Sequence, residues 1–477
     1  MARIVVIGAG MSGHATALGL RHRLSEEHQV IVITPNTRWM NPDTLAHIAV
    51  GSAEAATETV ALGSLYKNKG IIFHQGVVTA IYPEGYRDDK RPQVAMTFSS
   101  TYRKGQTARV PFDYLVIATG HDIDRVAGIP ATDATVPTCV IDRLDSAVAG
   151  EIVVRRLISE LQDSPSSANP KVIAVGRAFS GMRGYFGALE YVLSLDRILR
   201  FAFLRERVAL HFFDAGRPWL FLPIENLEIE SELRTEIDSL LQSHGIINHR
   251  NERLVSINAN RVRFASVEED VAQPGELQCD LVAVEASRVL TPLPVLSPTG
   301  ADLSAALYDD WGRIKTDAKR TEDERGKVFT TMPRTFKNSQ YPRIYGIGSA
   351  IALDANDSAD EGRVPPPMQT RDMAHLMSRE VTEQIVLDIT GDAKKSPPEI
   401  IEDINSVVSL FWGSSVLSKN GYFAELAYQK PKSGGEGKIQ QYLRVRRGWR
   451  ASLTVRQERF VERYRAKARP LWWLLPS

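Results

Sequence analysis

Residues 3–13, RIVVIGAGMSG, decide the fold of this chain. The stretch opens with a short apolar run that ends in Gly8, as is typical of a buried parallel strand. Gly8, Gly10 and Gly13 form the spacing G-x-G-x-x-G, and a helical pattern follows directly. Gly8 permits a tight turn, Gly10 permits backbone to approach a pyrophosphate, and Gly13 permits close helix–strand packing. This stretch therefore predicts a dinucleotide site, with phosphates held at the N-terminus of the helix.

The strand that follows completes one βαβ unit. QVIVIT (29–34) is a second apolar run, so strand, helix and strand fit within the length of one such unit. An acidic residue commonly ends this strand and binds the ribose of NAD. Thr34-Pro35-Asn36 stands there instead. Thr34 and Asn36 can still hydrogen-bond a ribose, so the sequence weakens the NAD interpretation and leaves FAD open.

A second unit of the same kind begins at residue 171. KVIAVG (171–176) reads as a buried strand, a helix is predicted over about 181–199, and RVALHFFD (207–214) is the next strand. SPSSANP (164–170) is a predicted linker. Residues 71–119 alternate over short distances and predict an antiparallel insertion. The chain is thus expected to be an α/β protein with two Rossmann-like, three-layer domains.

Composition excludes several classes of protein. The 477 residues are 43% hydrophobic and 24% charged, which is ordinary for a globular chain and leaves room for about three domains. No apolar run is long enough for a membrane-spanning helix. The chain has two cysteines, too few for a disulfide scaffold. Because MARIVVIGAG runs straight into a strand, we expect no signal peptide and a cytoplasmic location.

The net charge of +1 conceals a basic C-terminal tail. Residues 430–477 carry 13 Lys/Arg and 3 Glu, which leaves 45 basic and 54 acidic residues in 1–429. Aromatic and aliphatic residues lie between the arginines, and Trp472-Trp473 stand near the end. This mixture predicts an in-plane helix whose cations meet an anionic membrane surface. Two alternatives are a solvated helix that packs on the body and a helix that packs on a dimer partner. Nucleic acid is not expected as a partner, because no base-reading module is present.

Two later phrases complete a pattern with the opening motif. They are YLVIATG (114–120) and YGIGSA (345–350). Together the three phrases resemble the flavoproteins with two dinucleotide-binding domains, the pyridine nucleotide-disulfide oxidoreductase superfamily. There the late phrase usually ends in Gly-Asp, whereas this chain has Gly348-Ser349. Sulfide:quinone oxidoreductases also lack that Asp, and residues 34–51 and 175–191 are similar to theirs.

The resemblance implies FAD as the cofactor and no metal. It implies an FAD-binding domain in two pieces, 1–117 and 300–388, a second domain over 118–299, and a helical, basic, membrane-anchoring region over 389–477. The residues expected at FAD are Gly8, Gly10, Met11, Ser12, Gly13, Thr34, Asn36, Thr119, Gly120, Gly348 and Ser349.

The redox cysteines of the resembled family are mostly missing. Those enzymes use cysteines beside the flavin to capture sulfide, and two sulfurs are needed for disulfide exchange. Cys139 falls in the region after the ATG strand where one is expected, whereas Gly184 or Tyr185 and Ser409 stand near the other two positions. The two-thiol route is therefore not supported. Cys139 remains a candidate single nucleophile or flavin link, or a small buried residue.

The electron donor and acceptor are inferred from the same resemblance. A membrane quinone is the expected acceptor, and the expected quinone-side residues are Pro366, Met368, Gln369, Phe411 and Trp412. The first alternative is a type II NADH:quinone dehydrogenase. Asp214 and Glu190 favour it, whereas Arg177 would crowd the pyrophosphate of NADH. The second alternative is a non-catalytic or electron-transfer flavoprotein subunit. A homo-oligomer stays open.

Overall fold

The computed structural model describes residues 1–123, 135–165, 169–178, 187–215, 227–267, 274–286, 288–310, 312–316, 320–322, 328–330, 335–351, 371–391, 404–412, 421–429 and 440–475.

Strands and helices alternate along the described part of the chain. The helices are α1 (Met11–Arg23), α2 (Leu45–Ala49), α3 (Ala55–Glu58), α4 (Leu62–Asn68), α5 (Leu144–Asp163), α6 (Gly187–Phe201), α7 (Leu227–Ser243), α8 (Ser304–Leu307), α9 (Arg371–Thr390) and α10 (Trp449–Ala466). The strands are β1 (Arg3–Ile7), β2 (Gln29–Thr34), β3 (Arg38–Met40), β4 (Thr59–Ala61), β5 (Ile72–Tyr82), β6 (Gln93–Phe98), β7 (Thr107–Pro111), β8 (Tyr114–Ile117), β9 (Asp122–Ile123), β10 (Thr138–Val140), β11 (Lys171–Arg177), β12 (Val208–Phe213), β13 (Ile247–His249), β14 (Glu252–Asn258), β15 (Arg261–Ser266), β16 (Gly275–Gln278), β17 (Leu281–Glu285), β18 (Arg288–Val289), β19 (Arg320–Glu322), β20 (Val328–Thr330), β21 (Ile344–Gly346), β22 (Ile404–Trp412), β23 (Tyr422–Gln429) and β24 (Gln440–Arg447).

The first sheet carries the opening motif. Its order is β21-β8-β1-β2-β5-β6-β7, with parallel pairing from β21 to β5 and antiparallel pairing from β5 to β7. Ile4, Val5 and Val6 are fully buried, as the continuous apolar run predicts for a strand covered on both faces. The antiparallel part predicted over 71–119 is present, but β5 also pairs with β2, so this part continues the sheet.

The second sheet has the order β10-β17-β11-β12-β13, and all its pairs are parallel. β11 and β12 are the strands predicted at 171–176 and 207–214. Helices α5 and α6 pack on this sheet and share its core. One mixed sheet with a parallel part and one fully parallel sheet, both with connecting helices, confirm the expected α/β fold class.

Helix α1 fits between the first sheet and α9. Residues 21–23 place three basic side chains in its last turn, where they favour the negative end of the helix dipole. At Gly19, an added Cβ would lie 3.0 Å from Thr382 Oγ1 of α9. The absence of a side chain therefore lets the two helices pack closely.

The C-terminal region differs from the helical region predicted over 389–477. β22, β23 and β24 form an antiparallel sheet, and α10 begins only at Trp449. The alternation in residues 440–447 suits a strand, because β23 supplies a ladder of backbone partners. Gly448 separates strand from helix at φ +68°, a conformation that favours glycine. In the part of the chain that the structure describes, we found no helix with the length and apolarity needed to cross a bilayer.

Candidate functional site

Three glycine turns meet at the carboxyl edge of the first sheet. β21, β8 and β1 are neighbours there, and Gly348, Gly120 and Gly8 follow them. Their φ angles are +75°, +68° and +95°, which L side chains rarely adopt. A Cβ on Gly8 would lie 2.3 Å from the carbonyl oxygen of Ala118. The edge is therefore lined by backbone rather than by side chains.

Gly13 and Gly10 have different environments. A Cβ on Gly13 would lie 2.2 Å from the carbonyl oxygen of Gly8, so glycine is required for packing there. A Cβ on Gly10 would meet no protein atom within 4 Å. Gly10 is the N-cap of α1, and the helix has neither a side-chain cap nor an acidic residue in its first turn. Open space before uncapped N–H groups suits a pyrophosphate, so these residues fit a dinucleotide.

Two serines lie at the junction of the turns. A Cβ on Gly348 would lie 3.2 Å from Ser12 Oγ, and one on Gly120 would lie 3.8 Å from Ser349 Oγ. Ser12 is buried, and Ser349 is half-buried. The structure thus brings together the first and last of the three phrases singled out in the sequence.

Sequence reasoning missed His121. The His121 Nδ1 atom lies 2.9 Å from Ser349 Oγ and positions this hydroxyl by a hydrogen bond. Ser349 stands at the position where the superfamily that the sequence resembles usually has an Asp. The signal was present, since His121 directly follows Gly120. A histidine–serine pair thus takes the place of a carboxylate at this edge.

The remaining residues predicted at the cofactor lie around the same edge. Thr34 is buried at the end of β2, and its Oγ1 accepts a 3.3 Å hydrogen bond from the Asn36 N–H. Asn36 and Thr119 are exposed, and Met11 is half-buried. Asn36 is therefore more accessible to a ribose than Thr34 is.

Cys139 lies on β10 in the core of the second sheet. It is 1% exposed, and a Cβ added to Gly150 of α5 would lie 2.7 Å from its Sγ. Burial raises the pKa of the thiol to about 12, so the thiol is protonated at neutral pH. These features favour the alternative of a small buried residue over that of a nucleophile or flavin link.

Cys279 lies on the other side of the same sheet. It packs with Val282 and Val284, whereas Cys139 packs with Leu281 and Ala283, and alternate residues of β17 face opposite sides. Burial raises the pKa of the Cys279 thiol to about 12 as well. The two sulfurs are thus not placed to exchange a disulfide with each other.

Two charged side chains at the carboxyl edge of the second sheet bind to other groups of the protein. Arg177 is buried at the end of β11, and its guanidinium donates to the carbonyl oxygen of Asp214. The Asp214 carboxylate accepts a 2.6 Å hydrogen bond from the Asn251 N–H and a 3.3 Å bond from Arg234 Nη2. Asp214 is fully buried, and its carboxylate is hydrogen-bonded within the protein. The NADH alternative requires this carboxylate to bind a ribose instead.

Glu190, the other residue that favoured NADH, also has a protein partner. Its Oε1 lies 2.8 Å from His47 Nε2, and both side chains are buried. Arg459 of α10 lies 2.9 Å from the same histidine nitrogen. Burial lowers the pKa of His47, and the Arg459 charge lowers it further. Glu190 thus joins the second sheet to α2 and to the tail.

A second buried group of charges fixes α10 on the body. Glu462 accepts a hydrogen bond from His375 at 2.7 Å and one from Arg465 at 3.3 Å. Burial alone would raise the pKa of Glu462, but the charges of His375, Arg465 and Arg371 outweigh it and hold the value at about 2. The helix therefore turns charged side chains inward, a pattern that the sequence did not reveal.

Five residues were expected on the quinone side. Pro366, Met368 and Gln369 lie outside the described residues. Phe411 and Trp412 end β22, where their backbones pair with Phe423 and Tyr422 of β23.

Comparison with known proteins agrees with this geometry. The family described as pyridine nucleotide-disulphide oxidoreductase matches residues 2–153, which include the opening motif, the ATG phrase and Cys139. The sulfide-quinone reductase of Aquifex aeolicus (strain VF5) is 22% identical over 419 residues, which cover 87% of this chain and 84% of the relative. The chain is therefore similar to the sulfide:quinone oxidoreductases. It is an FAD-dependent oxidoreductase, and the expected cofactor is confirmed.

Two solved structures share the fold of this flavoprotein. The sulfide:quinone oxidoreductase of Aquifex aeolicus has a TM-score of 0.66 at 18% identity, over 98% of this chain and 92% of that chain. NDH2 of Plasmodium falciparum in complex with NADH has a TM-score of 0.62 at 12% identity, over 100% and 99%. These likenesses establish the architecture.

Proposed function

We propose that the protein is a peripheral membrane flavoprotein that passes electrons through FAD to a membrane quinone. The observation that carries the proposal is the edge where Gly8, Gly120 and Gly348 meet in front of the uncapped α1. When bound there, FAD supplies the redox chemistry, and the chain supplies binding and orientation. The α1 N-terminus would hold the pyrophosphate, and Asn36 would reach the ribose. His121 would orient the Ser349 hydroxyl toward the cofactor.

The quinone acceptor and the membrane are supported by the outer face of the tail. Trp449, Leu453 and Phe460 are spaced along one face of α10 and are 60%, 55% and 56% exposed. Leu471 and Leu474, which follow α10 in the chain, are exposed as well. Exposed aromatic and leucine side chains beside many arginines suit the interface of an anionic bilayer. A quinone dissolved in that bilayer would then reach the flavin without leaving the lipid.

We infer a donor other than NADH. The sequence predicted that Arg177 crowds the second cleft, and its contact with the Asp214 carbonyl supports that prediction. The burial of Asp214 supports it further. The two buried thiols, on opposite faces of one sheet, likewise support a donor that is not oxidised through paired cysteines.

The domain assignment is part of the same proposal. Residues 1–117 and 300–388 would form the FAD domain, residues 118–299 the second domain, and residues 389–477 the membrane-facing region. The proposed quinone-side residues are Pro366, Met368, Gln369, Phe411 and Trp412.

One experiment tests the proposal in three steps. The absorption spectrum of purified protein, recorded before and after acid precipitation, reports the flavin and its linkage. We expect FAD to be released into the supernatant, since Cys139 is buried. Anaerobic mixing with NADH, sulfide and small thiols then screens donors, and a soluble quinone is added to photoreduced enzyme. We expect slow bleaching by NADH and rapid reoxidation by the quinone. Rapid bleaching by NADH would favour the dehydrogenase alternative, and no reoxidation by quinone would overturn the proposed acceptor.

A further inference from the structure

A cavity of about 480 Å³ lies between α1, α9 and the end of the tail. Ala15, Gly19 and His22 contribute one face of α1, and α9 contributes the opposite wall. Trp472 and Trp473 cover one side. This cavity belongs to the outer face of α1, away from the Gly10 turn that begins the helix. It is therefore separate from the glycine edge described above.

The tail is held over this cavity by specific contacts. Trp473 stacks on His22 with ring centroids 4.2 Å apart and an interplanar angle of 23°. Arg465 Nη2 donates to the carbonyl oxygen of Leu475 at 3.5 Å. Leu471 has φ +61°, a conformation that residues other than glycine rarely adopt. The aromatic cover is thus built into the fold of the chain end.

The charges that line the cavity leave one arginine uncompensated. Arg23 is paired with Glu383, which also lines the cavity. Arg465 and His375 share Glu462. Arg379 also lines the cavity, and among the described residues it has neither an ion pair nor a side-chain hydrogen bond. The cavity therefore presents, at the exposed Arg379, one positive charge with five N–H donors, which suits a phosphate group.

The mouth of the cavity adjoins exposed apolar side chains near the end of the tail. Trp473 both lines the cavity and is 45% exposed, and Leu471 and Leu474 beside it are 57% and 69% exposed. A soluble phosphate would use the arginine but not these side chains. A molecule with a phosphate head and acyl chains would use both.

We propose that this cavity binds the headgroup of an anionic phospholipid. In this arrangement the lipid phosphate pairs with Arg379. The rings of Trp472 and Trp473 cover the glycerol, and the acyl chains pass over Leu471 and Leu474 into the bilayer. The inference rests on the membrane attachment proposed above and gives it a specific site. A bound lipid would tie the first helix of the chain to the membrane, in addition to the diffuse attraction of the basic tail.

The test uses the full-length holoenzyme and two lipids that dissolve as monomers, dihexanoyl-phosphatidylglycerol and dihexanoyl-phosphatidylcholine. Isothermal titration calorimetry should show saturable binding of the glycerol lipid, at least tenfold tighter than binding of the choline lipid or of inorganic phosphate. Arg379→Gln should weaken that binding at least tenfold. Arg456→Gln removes an exposed arginine of α10 outside the cavity and should change it less than twofold.

Vesicle sedimentation separates this inference from the proposed function. Wild-type protein should prefer vesicles of phosphatidylcholine with phosphatidylglycerol to phosphatidylcholine alone, and Arg379→Gln should lose most of that preference. Equal losses in Arg379→Gln and Arg456→Gln would show diffuse attraction and overturn the specific site. Absence of saturable binding to the monomeric lipid would overturn it too, even if vesicles still bind. Failure to bind any vesicle would instead refute the membrane attachment and with it the lipid assignment.

Discussion

His14 Nε2 lies 2.9 Å from the carbonyl oxygen of Ala466, 452 residues further along the chain. The other ring nitrogen lies 2.8 Å from the Tyr66 hydroxyl. His14 belongs to α1 and directly follows Gly13, the last glycine of the motif, and Ala466 ends α10. One buried imidazole therefore joins the helix of the cofactor edge to the tail that we assign to the membrane.

This histidine predicts a pH-dependent stability. Burial lowers the pKa of His14 to about 4, against 6.5 in an unfolded chain. Between these values the unfolded state binds more protons, so stability falls as pH drops from about 6.5 to about 4. The loss is about 3 kcal/mol for this shift. Urea unfolding of the holoenzyme at several pH values should show it, and His14→Gln should flatten the slope by about one proton. An unchanged slope would contradict this account.

Gly10 and Gly13 of the motif should respond differently to substitution. Gly10→Val places its side chain in open space, so we expect the thermal midpoint of the flavin-free protein to change little while bound FAD falls at least tenfold. Gly13→Ala places a Cβ 2.2 Å from a carbonyl oxygen, so we expect lower stability as well as lower FAD content. Flavin absorbance per chain and thermal unfolding measure both effects. The interpretation fails if Gly10→Val retains its flavin.

Cys139 should behave as a core residue. We expect Cys139→Ala to keep its FAD content and quinone reoxidation rate, with a stability loss of about 1 kcal/mol for a small cavity. Native protein should react slowly with a thiol reagent, and both cysteines should react after unfolding. A Cys139→Ala protein that is stable but no longer oxidises its donor would restore the thiol to the mechanism.

Asp214 should matter for folding rather than for nucleotide binding. Asp214→Ala leaves Arg177 and Arg234 without part of their compensation in a buried site. A loss of about 3 kcal/mol is typical of such a change. The urea midpoint reports it. Wild type and variant should both be bleached slowly by NADH, and rapid bleaching of wild type alone would assign Asp214 to a ribose.

The outer face of α10 should carry membrane affinity. The triple variant Trp449→Ser, Leu453→Ser and Phe460→Ser removes exposed apolar area and should weaken vesicle binding at least tenfold without lowering the thermal midpoint. Phe201 and Phe203 are 88% and 94% exposed elsewhere on the protein, so their replacement by serine is a matched control. Equal effects of the two sets would argue against a specific membrane face.

The sequence predicted the parts of the fold that depend on local pattern. Both strand–helix–strand units lie where the apolar runs and glycines indicated. A short apolar run that ends in glycine is compatible with few structures other than a buried strand. Residues 440–447 were misjudged because their interleaved arginines and apolar residues were taken as part of the helix predicted for the tail. Their strand partner, β23, lies elsewhere in the chain and is invisible to a local pattern. Contacts between residues far apart in the sequence, such as that of His121 with Ser349, were missed for the same reason.

The hydrogen bond between His121 and Ser349 links residues that are 228 positions apart, and the pairing of β8 with β21 beside it joins the same two parts of the chain. This separation has a consequence during synthesis. While the ribosome is still translating the residues between β8 and β21, β8 has no β21 beside it, and its backbone N–H and C=O groups are open on that side. Such an edge invites pairing with other chains. We therefore expect fragments that end before Ile344 to aggregate unless chaperones hold them, and soluble protein to appear only once the late glycine turn has been made.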